Sequence, residues 1–170
     1  MLDILTNMLS MCIPFSVALL LASIGEMFNQ RAGVFNLGCE GVMAMGAFIG
    51  MLIPFAAGGG GAVSQWYNVL GFIAAAALGA VFGIIFAVIT VTFRAPQGIA
   101  GIGLQMFGVG TAGTLFRHFV GGTQSIPGIP DFDIPLLSKI PFIGDVFFSH
   151  NVMAYLAYLF IPVAMYILFK

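Results

Sequence analysis

Twenty-two consecutive residues, 4–25, separate Asp3 from Glu26 without one charge. That spacing constrains the chain more than any motif, because about 20 apolar residues form a helix long enough to cross a hydrocarbon core of roughly 30 Å. The pattern recurs. Between Glu40 and Arg94 lie 53 uncharged residues, between Arg94 and Arg117 another 22, and Val152 to Phe169 is again apolar. The run of 53 is too long for one span and suits two joined by a turn. Gly58 to Gly61, followed by Ser64-Gln65-Trp66-Tyr67-Asn68, supplies that turn. Glycine breaks the helix there, and Trp and Tyr favour a membrane–water interface. The spacing predicts five hydrophobic segments, near 4–25, 36–57, 69–93, 97–117 and 151–169. The runs are continuous rather than alternating and about twice the length of a membrane strand, which favours helices over a barrel. Pro14 and Pro162 fall inside predicted helices, where a bundle can re-satisfy the freed backbone groups.

Composition agrees. Hydrophobic residues make up 61% of the 170 and charged residues 6%, and mean hydropathy is +1.11. A soluble domain carries about 25% charge, so an ordinary soluble enzyme is excluded, as are a disordered chain and a disulfide scaffold. A net charge of −1 excludes a basic nucleic-acid module and leaves membrane lipid as the surrounding partner. No Lys or Arg precedes the first apolar run, as a secretory signal would require, so this run is expected to stay as a span. Cys12 and Cys39 read as free, soft side chains rather than a bridge.

Enzymatic signatures are missing. No P-loop motif, catalytic triad or metal-ligand spacing occurs, so neither a metal nor a catalytic residue is expected. Gly108-Val109-Gly110-Thr111-Ala112-Gly113 matches G-x-G-x-x-G, but with no preceding strand it reads as a helix-packing surface. His118 and His150 read as interfacial. Segment three carries a small-residue stripe, Gly71, Ala75, Gly79, Gly83 and Ala87, at every fourth position, and Gly46 and Gly50 form a second such pair. Both patterns let helices approach closely where lipid provides no hydrophobic drive. Ser10, Ser16 and Ser23 are expected to bond back to their helix or across to neighbours.

Residues 118–150 hold Pro127, Pro130, Pro135 and Pro141, together with Asp131, Asp133, Lys139 and Asp145. They read as a long, mildly acidic loop, with a short interfacial helix near 135–140. Arg31, Arg94 and Lys170 fall on one side of the membrane and Arg117 with Lys139 on the other. This count favours an external N-terminus and an external 118–150 loop. It assumes that segment two crosses fully; a re-entrant segment is the alternative.

The informative polar stretch is Gly25 to Gly46. It sets Glu26, Asn29, Gln30, Arg31, Asn36 and Glu40 between two apolar runs. A polar surface turn is one reading. The other is a broken helix inside the bundle, where Gly33, Gly38 and Gly41 permit irregular backbone that lines a cavity. Glu26 and Arg31, or Glu40 and Arg31, would then pair within the membrane. Gln105 stands alone and polar in segment four, either bonding a neighbouring helix or touching a polar solute.

These residues carry a resemblance. Glu26-Met-Phe-Asn-Gln-Arg31-Ala-Gly-Val-Phe-Asn36-Leu-Gly-Cys-Glu40-Gly-Val-Met-Ala-Met-Gly46-Ala resembles the signature ERAGVxNLGxEGxMxxGA. That signature marks bacterial ABC-importer permeases of the branched-chain amino-acid/ribose superfamily, of the nucleoside and simple-sugar type that works with basic membrane lipoproteins. Gln97 to Gln105 resembles QxxxGxGLN, and Ile134 to Gly144 resembles IPLLxxIPxxG of an external loop. Gln105 stands where the family commonly has Asn, and Cys39 where it has an aliphatic residue.

The resemblance implies an all-α polytopic bundle forming a single transmembrane permease domain over 1–170, in a bacterial inner membrane. It implies partner ATPase subunits that hold ATP and Mg, with no cofactor in this chain. It also implies a second homologous permease and an external solute-binding lipoprotein. Asn36, Glu40 and Gln105 are the expected solute-pathway residues; Glu26 and Arg31, with Gly33, Gly38 and Gly41, are expected to hold the break. Nucleosides, simple sugars and riboflavin-like solutes all fit such a permease. Family members are longer, and their ATPase-coupling loop follows just past the position of Lys170, so an N-terminal portion of a permease is expected. A non-transporting scaffold subunit or an inactive remnant is the alternative.

Overall fold

A computed structural model describes residues 2–58, 64–122, 128–129, 131–133 and 149–170. The elements, in order, are α1 (Leu2–Arg31), α2 (Cys39–Gly58), α3 (Gln65–Ala87) with a π-helical extension (Val88–Thr92), α4 (Gln97–Phe119), β1 (Asp131–Asp133), β2 (Ser149–Asn151) and α5 (Val152–Phe169). Five helices among the described residues are long and apolar enough to cross a membrane. They match the five predicted segments, except that α1 continues past the predicted end at residue 25 through Glu26 to Arg31, residues expected in the polar break. The 20 residues of α2, at about 1.5 Å per residue, reach roughly 30 Å, enough for a span. Gly59 to Gly61, most of the proline-bearing loop and the helix expected near 135–140 lie outside the described residues.

The chain divides into two compact units. One comprises Met1–Arg31 with Ile129–Lys170, the other Ala32–Gly128.

In the first unit, α1 packs against α5. The contact face of α5 is small: Ala154, Ala157 and Ala164 are buried, with Leu168. Small side chains let the helices approach where burial from water offers no drive. Ser16 and Ser23 turn their hydroxyls back to the carbonyls of Ile13 and Leu19, both at 2.8 Å, which satisfies them within α1. β1 and β2 pair antiparallel with Phe132 opposite His150. His150, read from the sequence as interfacial, is buried at 2% exposure, and its backbone N–H donates to the Tyr155 hydroxyl. Asn151 caps α5, its Oδ1 accepting from Ala154 N at 3.1 Å. This cap satisfies one of the first-turn N–H groups that a helix leaves open.

In the second unit, α2 is central and packs on both α3 and α4. Met45, Phe48, Phe82, Phe86, Leu104 and Ala112 form its core. The two faces of α2 use glycine differently. Toward α3, Gly71 lies against the Gly50 carbonyl, Ala75 lies near Gly46 and Gly50, and Gly79 lies near Val42. The stripe stops there: a Cβ at Gly83 would meet nothing within 4 Å, and Ala87 is exposed. Its last two members therefore make no helix contact within this unit.

Toward α4 the approach is closer. A Cβ on Gly108 would run into the Gly41 carbonyl group, with Gly41 Cα at 2.7 Å. A Cβ on Gly41 would meet Gln105 Cα at 2.6 Å and Leu104 O at 2.7 Å. The two backbones touch with no side chain between them.

At the end of α3 the helix widens. Thr90, buried, bonds back to Phe86 O at 2.8 Å, and Phe93 N reaches Val88 O, five residues back. Hydroxyl bonding to the preceding turn and the wider π turn both mark a locally relaxed helix. Arg94 then takes φ 55°, a left-handed conformation uncommon for a non-glycine residue. Pro96 stands at the N-cap of α4. There its fixed φ and missing N–H cost nothing. The chain thereby reverses direction over a few residues and brings Gln97 beside the start of α2.

Replacing Gly108 by Ala should destabilise the protein by about 1–3 kcal/mol, the usual cost of overpacking. Gly110→Ala, where a Cβ meets nothing within 4 Å, should be neutral or slightly stabilising because Ala is the better helix former. Thermal unfolding in detergent, followed by size-exclusion chromatography, checks the pair; equal melting of both variants would contradict the backbone-contact reading.

Candidate functional site

Asn36, Glu40 and Gln105 lie where α4 meets the segment leading into α2, while Glu26 and Arg31 lie on α1 in the other unit. α1 ends with Arg31 in its last turn, where a cation complements the C-terminal carbonyls. Glu26, one turn earlier, accepts from Asn29 Nδ2 at 3.2 Å. Residues 32–38 are not helical, and Gly33 takes φ 79°. That left-handed conformation suits glycine, which has no Cβ to clash.

Asn36 then organises the entry to α2. Its Oδ1 accepts from Gly38 N at 2.8 Å, a turn in which the side chain stands in for a backbone carbonyl. Its own carbonyl accepts from the Cys39 thiol at 3.6 Å. Neither Cys39 nor Cys12 is in a disulfide. Gly38 O accepts from Val42 N at 3.2 Å, which joins the turn to the first turn of the helix.

Along α4, contacts to this segment follow in sequence order. Gln97 Oε1 accepts from Phe35 N at 2.8 Å, and Gln97 Nε2 donates to Gly33 O at 3.5 Å. Gly101 lies against the backbone of Leu37, and Gly38 lies against the Gly101 carbonyl. Gln105 Nε2 donates to Glu40 Oε2, and Gly108 meets Gly41. Four α4 positions spaced at about one helical turn thus hold residues 33–41 in register.

The structure therefore brings Glu40 and Gln105 into direct contact, with Gly38 and Gly41 beside them and Asn36 one turn away. Glu40, in the first turn of α2, is exposed, while Gln105 and Asn36 are half-buried. A carboxylate at a helix N-terminus is stabilised by the helix dipole. The pair has chemical capacity left over. A carboxylate offers about four acceptor sites and an amide oxygen two, so both groups can take hydrogen bonds from the O–H or N–H of a polar solute. Among the described residues no cluster of three or more His, Cys, Asp or Glu could hold a metal.

An apolar groove of 510 Å³ is lined by Leu104 together with Phe82, Ile85 and Phe107. Gln97 is the site residue that residue-by-residue reading passed over. Its signal was present, since a Gln directly after Pro96 opens an otherwise apolar helix.

Five long apolar helices among the described residues define a multi-pass membrane protein. The chain belongs to the family described as branched-chain amino acid transport system / permease component, whose model matches residues 8–170. Among curated relatives, the guanosine ABC transporter permease protein NupQ of Bacillus subtilis is 32% identical, covering 98% of this chain and 54% of its own length. The nucleoside ABC transporter permease protein NupC of Lactococcus lactis is 34% identical, over 92% of this chain and 50% of its own. A candidate glucose permease, TsgC13 of Haloferax volcanii, is 30% identical, over 96% and 48%. The chain spans about half the length of these relatives. No solved structure gives a significant match. The protein is a multi-pass protein of the plasma membrane and a transport component by family.

Asn36→Ala should lower stability by about 1 kcal/mol through loss of the turn bond to Gly38 N, whereas Asn36→Asp retains an acceptor and should stay near wild type. Detergent melting curves of the two variants decide it; equal losses would show that the side-chain acceptor is not what matters at this position.

Proposed function

We propose that this chain forms part of the solute pathway of an ATP-driven importer for nucleosides or related small polar solutes. The observation that carries the reading is the Glu40–Gln105 hydrogen bond, set between two apolar helices in a chain of permease-family sequence. A carboxylate and an amide in such surroundings are costly unless they are used. Asn36, Glu40 and Gln105 present acceptors to ribose hydroxyls or base N–H groups as the solute passes. Glu26, Arg31 and the glycines at 33, 38 and 41 hold the interrupted backbone. The names of relatives that carry guanosine, nucleosides or glucose support a polyhydroxylated or heterocyclic solute over an apolar one.

ATPase subunits, holding ATP and Mg, bind on the cytoplasmic side. A second, homologous permease packs alongside, and a solute-binding lipoprotein docks outside, in part on residues 118–150. The N-terminus is external. ATP binds the two access states with different affinity and so drives the exchange between them.

The test is uptake of radiolabelled guanosine, and of glucose for comparison, by cells expressing the complete permease with its partners. Glu40→Gln combined with Gln105→Leu should lower uptake of the true solute about tenfold or more at unchanged membrane abundance. That is the expected scale for losing a hydrogen bond to a charged group. Wild-type uptake by the double variant would remove these residues from the pathway.

A further inference from the structure

We infer that Gln97 is a positioning residue for solute passage: it clamps residues 33–35 to α4 so that Glu40 meets Gln105. The inference rests on the pathway reading above and adds a residue which that reading does not use.

Three observations carry it. First, one planar amide serves two backbone groups. Oε1 accepts from Phe35 N at 2.8 Å, and Nε2 donates to Gly33 O at 3.5 Å. A planar side-chain group that carries a separate donor nitrogen and acceptor oxygen, as this contact uses, is the carboxamide of Gln and Asn, and Asn is shorter by one methylene.

Second, the groups it serves belong to non-helical backbone between Arg31 and Cys39. Such backbone has no ladder of its own, so a side-chain partner is what orders its polar groups. The Phe35 N–H depends on Gln97 in a way that no N–H in a helix interior depends on a side chain.

Third, Gln97 is the first of the ordered contacts. Gly101 against Leu37, Gln105 with Glu40 and Gly108 against Gly41 follow it along α4. The Gly101 and Gly108 contacts are backbone packing, which fixes distance but tolerates sliding. The Gln97 bonds are directional. They fix where along α4 the segment begins, and with it which α4 residue Glu40 faces. Gln97 touches backbone rather than solute, so it acts through Glu40 and Gln105.

The test uses the complete permease with its partners in lipid nanodiscs and proteoliposomes. Hydrogen–deuterium exchange reads the clamp directly. Gln97→Leu should speed exchange at Phe35 about tenfold, the scale of one lost hydrogen bond, with peptides of α3 unchanged. Gln97→Glu keeps an acceptor for Phe35 N but sets a carboxylate oxygen against Gly33 O, so its exchange should fall between the two. Should the Leu variant fail to fold, the Glu variant carries the same comparison.

In transport, Gln97→Leu should raise the half-saturating guanosine concentration about fivefold and leave the maximal rate within about twofold. Its effect should largely vanish in a Gln105→Leu background, since residues acting as one unit are non-additive. Unchanged exchange at Phe35, or fully additive losses with Gln105→Leu, would overturn the inference. Wild-type uptake by Gln105→Leu alone would instead count against the pathway reading, while the exchange result still decides the clamp.

Discussion

The second unit depends on one contact, the crossing of α2 and α4 at Gly41 and Gly108. Two helix backbones meet there with no side chain between them. In water, such a contact would be a minor part of a hydrophobic core. In lipid, apolar side chains gain little by leaving one hydrocarbon surrounding for another, so packing distance and polar bonds decide association. Close approach at Gly41 brings the Gln105 side chain within reach of Glu40. A Cβ at either glycine would force the helices apart and open that hydrogen bond. Packing and polar chemistry are therefore one feature of this fold.

The segment entering α2 shows how irregular backbone is made tolerable in so apolar a chain. Each device is local and cheap. Gly33 takes a left-handed conformation, Asn36 supplies a carbonyl substitute to Gly38 N, and Gln97 reaches in from α4 to the groups at 33 and 35. The reversal between α3 and α4 works in a similar way. A widened last turn, a buried Thr90 bonded back to Phe86 and Arg94 at positive φ let the chain turn quickly into Pro96. That short reversal is what starts α4 level with the break. The turn geometry thus sets the register in which Gln97 and Gln105 meet their partners.

Much was legible in the sequence. Uncharged runs between Asp3 and Glu26, Glu40 and Arg94, and Arg94 and Arg117 place four of the spans, because charge is too costly in hydrocarbon to fall at random. Within the stretch from Gly25 to Gly46 only residues 32–38 leave the helix; Glu26 to Arg31 continue α1, and Cys39 onward belongs to α2. The small stripe on α3 was visible as a pattern, yet only Gly71 to Gly79 contact α2, while Gly83 and Ala87 do not. Periodicity shows that a face is small, but not how far along it a neighbour extends. His150 was legible only as a residue near an apolar segment. It is buried and lies in a strand paired with a residue 18 positions earlier, which no local pattern announces.

The sequence by itself determined the class of molecule, the number of spans and the polar residues that an apolar chain would not carry idly. Those follow from composition and spacing, which act locally. Only the tertiary structure decided that Glu40 bonds Gln105, 65 residues away, and that Gln97 fastens the break. Such contacts depend on the angle and register at which two helices cross. The distance is set by where a Cβ is missing on each and the register by the directional Gln97 bonds, conditions that involve both surfaces and are written in neither one alone.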